Sequence, residues 1–122
     1  MLLQKEVSDE AVHIKSYSKG KIILNIGEYS GCIFLTKNQL QKINSDLSFK
    51  TLTIEILDKI SVNQPEIIVI GTGSSHKIMD LVLIKHLNDQ GIALEAMASR
   101  QACHTYEVLA HDRRKVNALI FA

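Results

Sequence analysis

The sequence predicts an α/β fold: a single three-layer domain over residues 1–122, with a central mixed β-sheet, N-terminal antiparallel hairpins and then a β-α-β-α-β run. Three observations carry this. Two turn signals, Lys19-Gly20 and the stretch from Gly27 to Gly31, divide the opening third into short segments rich in β-formers. Residues Ile67 to Ile70 are an unbroken apolar run, as expected of a central strand covered on both faces. Beyond that run, strand-like and helix-like segments alternate, which implies crossover connections over a mixed sheet.

Taken in order, residues 11–18 (AVHIKSYS), 21–26 (KIILNI) and 31–36 (GCIFLT) read as an antiparallel meander. Residues 51–60 (TLTIEILDKI) read as a short helix capped by Thr51 or Thr53 and ended by Asn63 and Pro65. Residues 76–91 (HKIMDLVLIKHLNDQG) read as a second helix, with Ile78, Leu81, Val82 and Leu87 as its apolar face and Gly91 at its end. Residues 92–97 (IALEAM) follow as a strand. Residues 99–111 (SRQACHTYEVLAH) form a helix capped by Ser99, with Ala102, Cys103, Tyr106, Leu109 and Ala110 on one side and Arg100, His104, Glu107 and His111 on the other. Residues 115–121 (KVNALIF) close the sheet.

A chain of 122 residues can bury enough surface for one core. Its 46% hydrophobic and 22% charged residues are those of a globular protein, not a disordered one. The net charge of +1 supplies no general attraction to phosphate backbones, so no nucleic-acid partner is expected. No run approaches the roughly 20 apolar residues of a membrane span, and the first residues carry acidic groups early with no signal-peptide core, so the expected setting is the cytoplasm rather than a membrane. Cys32 and Cys103 lie far apart and form no CxxC pair, which fits free thiols in a reducing compartment.

The stretch with the outline of a ligand site is residues 71–77, GTGSSHK. A dinucleotide fingerprint needs a third glycine where His76 stands, and a P-loop needs a glycine-lysine-serine that is missing. Two readings remain. Gly71, Thr72, Gly73 and Ser74, helped by Arg114, form an anion-binding loop at a helix start; or the glycines serve a strand-to-helix turn with Ser74 or Ser75 as cap. Arg113, Arg114 and Lys115 form a basic cluster that is either a solvated turn or the holder of an acidic partner or of that same anion.

Cys103 lies near the positive end of its helix beside His104, which favours a thiolate, but on the apolar side, where cysteine behaves as a small hydrophobe. Cys103, His104 and Tyr106 are therefore candidates for a thiol-bearing surface, and no catalytic residue is assigned. His104, Glu107 and His111 have i, i+3, i+7 spacing but lack the H-E-x-x-H arrangement; a solvated charged face accounts for them, so no metal or other cofactor is expected.

Residues 67–73 (IIVIGTG) and 91–122 (GIALEAMASRQACHTYEVLAHDRRKVNALIFA) resemble a small family of α/β domains of unknown function that includes mitochondrial respiratory complex I assembly factor three and an adipogenesis-associated cytosolic protein. The places of its pattern are filled by Gly71, Thr72, Gly73, Met97, Ser99, Ala102, Cys103, Thr105, Tyr106 and Arg114, and the first hairpins fit as well, so most of the chain is covered. Ser99 stands where threonine is usual, Glu107 where asparagine is usual and Asp112 where glutamate is usual. The resemblance implies a three-layer fold with a central mixed sheet, no established enzymatic activity, and protein partners, with self-association left open. The leading expectation is a non-enzymatic interaction or assembly-factor-like domain; the alternative is a small-molecule or anion-binding protein using Gly71 to Ser75.

Overall fold

A computed structural model describes residues 4–5, 11–43 and 46–122. Residues 1–3 and 6–10, most of the opening stretch that lacks a signal-peptide pattern, lie outside the described residues. The strands are β1 (Gln4–Lys5), β2 (Ile14–Ser18), β3 (Lys21–Leu24), β4 (Gly27–Tyr29), β5 (Cys32–Thr36), β6 (Gln39–Lys42), β7 (Ile67–Thr72), β8 (Ala93–Met97) and β9 (Val116–Phe121). The helices are α1 (Ile54–Lys59), α2 (Leu81–Asn88) and α3 (Ser99–His111). Six strands form the main sheet in the order β1-β6-β5-β9-β7-β8, and β2-β3-β4 form a second, antiparallel sheet. Within the main sheet β7 runs parallel to both β8 and β9, while β5 pairs antiparallel with β6 and β9.

The result is three layers around a mixed sheet. One face of the main sheet packs against α3 and the small sheet through Val69, Ala118, Ile120, Ala102, Tyr106, Ile22 and neighbours. The opposite face packs against α1 and α2 through Ile68, Ile70, Leu119, Leu57, Leu83 and Leu87. Alternate residues of β7 and β9 serve the two cores, so both strands are largely apolar, as a strand covered on both sides must be, with Asn117 the buried polar exception in β9 and Thr72 that in β7.

Several boundaries differ from the sequence expectation, each for a local reason. The predicted meander is divided between the two sheets: Gly27–Tyr29 is a strand paired with β3, and Cys32–Thr36 leaves for the main sheet. β6 pairs with β5 across a two-residue turn in which Lys37 and Asn38 have φ of 51° and 58°, the type I′ pattern. Thr53 is the cap of α1, accepting from the Ile56 amide, while Thr51 closes a 3₁₀ turn with Ser48.

The second helix begins at Leu81, not His76, because the Asp80 carboxylate caps it by accepting from the Val82 amide at 2.9 Å. Neither Ser74 nor Ser75 is a helix cap. The predicted apolar face is also rotated: of its members only Leu87 is buried, joined by Met79 and Leu83, while Ile78, Leu81 and Val82 face solvent. Ser99 is the first residue of α3 rather than its cap, and its hydroxyl is committed elsewhere.

Candidate functional site

The glycine loop lies where β7 leaves the sheet. Gly71 is still in the strand, and a Cβ there would stand 2.8 Å from both Ile120 Cγ2 and Ser99 Oγ, so the glycine is required for α3 to approach the sheet. The Ser99 hydroxyl accepts from the Gly73 amide at 2.8 Å and donates to the Phe121 carbonyl. In return the Ser99 amide donates to the Gly73 carbonyl at 2.8 Å. Thr72 Oγ1 donates to the Ser75 carbonyl at 2.7 Å and accepts from the Lys77 amide at 3.2 Å. Two of the loop's amides are thus spent on the protein itself. The start of α2 lies eight residues beyond Gly73 with Asp80 already in its cap, so the helix that follows the loop does not aim its dipole at it, and the first amide of α3, that of Ser99, is already spent on the Gly73 carbonyl.

Arg114 does not join this loop. It precedes β9, whereas Gly71 is paired with Ile120 near the other end of that strand. Six residues of strand separate the two, about 20 Å. The anion set read from the sequence is divided between opposite ends of the sheet.

On α3, Cys103 and Tyr106 are buried and only His104 of the three surface candidates is exposed. Burial raises the Cys103 thiol to about 11, the Glu107 carboxylate adds to the rise and Arg100 opposes it. Desolvation therefore outweighs the helix end and the neighbouring histidine. Cys32 is pushed to about 12 by burial alone. The Glu107 carboxylate turns to the small sheet, accepting from the Ile14 amide at 3.0 Å and lying 3.3 Å from His13 Nδ1. Among the described residues no three His, Cys, Asp or Glu side chains converge as metal ligands would.

At the end of the sheet where Arg114 lies, a cleft of about 740 Å³ opens between the β5–β6 turn, the loop into β7 and the turn out of α3. Lys37, Arg113, Arg114 and Lys115 line it, and among the described residues no carboxylate does. Every non-glycine residue with positive φ among those described lies on its rim: Lys37, Asn38, Asn63, Gln64 and Arg113. Arg113 occupies the left-handed position of a Schellman turn, its amide donating to Ala110 and that of Arg114 to Leu109, both at 3.0 Å. Gln64 has φ of 51° directly before Pro65, where extended backbone is usual.

A buried polar network holds this geometry. Asn117 Nδ2 donates to the carbonyls of Ile60 and Val62, each at 2.8 Å. Thr36 Oγ1 donates to Asn117 Oδ1 at 2.7 Å and accepts from Asn63 Nδ2 at 2.8 Å. Beneath the cleft the Tyr106 hydroxyl is sealed from solvent and makes no hydrogen bond of normal geometry. Burial pushes its phenol well above the ordinary tyrosine range, with the Asn38 backbone opposing and Glu107 reinforcing. The sequence signalled only the Arg113–Lys115 cluster; left-handed Lys, Gln and Arg residues carry no mark of their conformation.

Known proteins share both the sequence and the fold. The "13 kDa major membrane protein" of Francisella tularensis subsp. holarctica (strain LVS) is 36% identical over 121 residues, covering 98% of each chain. The NADH dehydrogenase (ubiquinone) 1 alpha subcomplex assembly factor 3 of Xenopus tropicalis is 31% identical over 110 residues, which are 88% of this chain and 59% of that one. This chain spans about 59–68% of the length of the assembly factors it matches. A crystal structure of a Bordetella parapertussis protein superimposes with a TM-score of 0.84 at 21% identity, covering 94% of this chain and 98% of that one, a likeness of fold. The family model described as "Protein of unknown function (DUF498/DUF598)" matches residues 14–121, and the chain belongs to that family.

Proposed function

We propose that this chain is a non-enzymatic protein-interaction domain of the assembly-factor kind, working in the cytoplasm and holding a partner polypeptide against the surface beside the glycine loop. The observation that carries the reading is the exposure of Ile78, Leu81 and Val82 at 86%, 77% and 63%. These are not displaced core residues, since Met79, Leu83 and Leu87 of the same segment already fill the core. Covering three such side chains would contribute about 1.5–3 kcal/mol each before the costs of association. Ser75, His76, Lys77 and Asp80 are exposed around them, an apolar centre with a polar rim. Relatives named as assembly factors support a protein as the partner. Among the described residues no helix is long and apolar enough to cross a membrane.

The test is cross-linked affinity purification from the native cell with the wild type and the triple variant I78S/L81S/V82S. The expected result is one reproducible protein partner, a second copy included, lost in the triple variant at an unchanged melting temperature. A partner retained by the variant would remove the patch from the reading. Recovery with membranes, abolished by the same variant, would replace the protein partner with a lipid surface.

A further inference from the structure

We propose that the cleft at the opposite end of the sheet is a binding site for a small organic phosphate. This stands independently of the partner surface, because the two lie at opposite ends of β7 and β9.

Three observations converge. First, the charge is one-sided: four cationic side chains and, among the described residues, no carboxylate line the cleft. Arg114 is partly neutralised by Glu66, which lies outside it with Nε and Oε2 3.6 Å apart, whereas Lys37 and Arg113 make no ion pair among the described residues. Second, the charges come from separate elements, Lys37 from the β5–β6 turn and Arg113 to Lys115 from the turn after α3. Donors arriving from different directions suit the three oxygens of a tetrahedral phosphate better than a planar carboxylate. Third, the backbone is held in conformations its residues disfavour. A glycine at position 113 would relieve the left-handed turn, and an Asn-Gly pair would suit the β5–β6 turn better than Lys37-Asn38. Strain that a simpler residue would remove, gathered on the rim of one cleft and pinned from below by Thr36, Asn63 and Asn117, is the pattern of side chains kept for binding.

The lining also narrows the ligand. The volume suits a small metabolite. Asn38 and Gln64 offer side-chain amides that make no hydrogen bond within the described residues, suited to hydroxyl groups. The single aromatic of the lining, Tyr106, is buried and presents no open ring for stacking a base. The structure therefore favours a phosphorylated polyol over a nucleotide.

The experiment is a titration of the folded, full chain followed by amide NMR at fixed ionic strength, with inorganic phosphate, glycerol 3-phosphate, adenosine monophosphate and succinate as probes. Saturable shifts are expected at residues 37–38, 63–64 and 113–115, with glycerol 3-phosphate binding at least tenfold more tightly than succinate and no less tightly than adenosine monophosphate. The R113G variant is expected to melt a few degrees higher and to bind glycerol 3-phosphate at least tenfold more weakly, so lost binding cannot be mistaken for lost folding. K37N is expected to weaken binding severalfold without loss of stability. Absence of saturable shifts with every probe, shifts centred on residues 71–77, a preference for succinate, or unchanged binding by R113G would each overturn the proposal; tightest binding of adenosine monophosphate would overturn its polyol part.

Discussion

The two ends of the main sheet differ in how they use their polar groups. At the end bearing Gly71, the loop turns the Gly73 and Lys77 amides, the Thr72 hydroxyl and the Gly73 and Ser75 carbonyls on itself and on Ser99, and it tolerates no extra atom at position 71. At the other end a buried network supports a rim of cationic side chains left open to solvent. The glycine-rich sequence is therefore the packing joint, and the motif-free loops form the receptive surface. A glycine in a strand-to-helix loop signals close approach of something, and here that something is α3.

The contrast can be broken most severely at Asn117. Asn117→Leu removes three hydrogen bonds, leaving the buried Ile60 and half-buried Val62 carbonyls without this donor and the Thr36 hydroxyl without its acceptor, so a loss of about 3–5 kcal/mol is expected in urea unfolding. A loss below about 1 kcal/mol would mean that the network does not hold the cleft.

At the packing joint, Gly71→Ala drives a methyl to 2.8 Å from Ile120 Cγ2 and Ser99 Oγ and 3.1 Å from Ala102 Cβ. The expected cost is about 1–3 kcal/mol, read by the same unfolding measurement, with no change in anion-induced shifts at residues 113–115.

The smallest effect near neutral pH concerns the thiols. With its thiol raised to about 11, Cys103 holds about a hundredfold less thiolate at pH 8 than an ordinary cysteine. Labelling of the native protein should accordingly be slow and should accelerate on unfolding. Because the folded state favours the protonated thiol, this contribution to stability is complete below about pH 9 and is lost as pH rises to about 11. Stability that stays flat across that window would contradict the burial of Cys103.

The parts of the fold legible in the sequence were those whose pattern has one interpretation. The apolar runs of β7 and β9 and the 3.6-residue rhythm of α3 each admit a single arrangement. β4 and β6 were hidden because GEY and QLQK are polar or glycine-led and become strands only through their neighbours. For α2 the predicted face held for Leu87 alone: the spacing of Ile78, Leu81 and Val82 mimicked a core face, while Met79 and Leu83 complete the buried one with Leu87. The side chain of Asp80 decided between them by setting where the helix starts. At the site, sequence showed the basic cluster at 113–115 but not its company, since Lys37 and Gln64 meet it only through the pairing of β5 with β9 and β9 with β7.

β9 follows every other described element in chain order, yet it lies in the middle of the sheet, bonded to β5 on one side and β7 on the other. During synthesis the main sheet's two halves, β1-β6-β5 and β7-β8, therefore have no strand between them, and neither cleft nor packing joint can form until residues 116–121 leave the ribosome. Cys32 must wait for Phe121, some ninety positions later, before the second edge of its strand is paired. Pairing across such a separation is slow to nucleate, so the two halves keep apolar edges exposed until β9 arrives to join them.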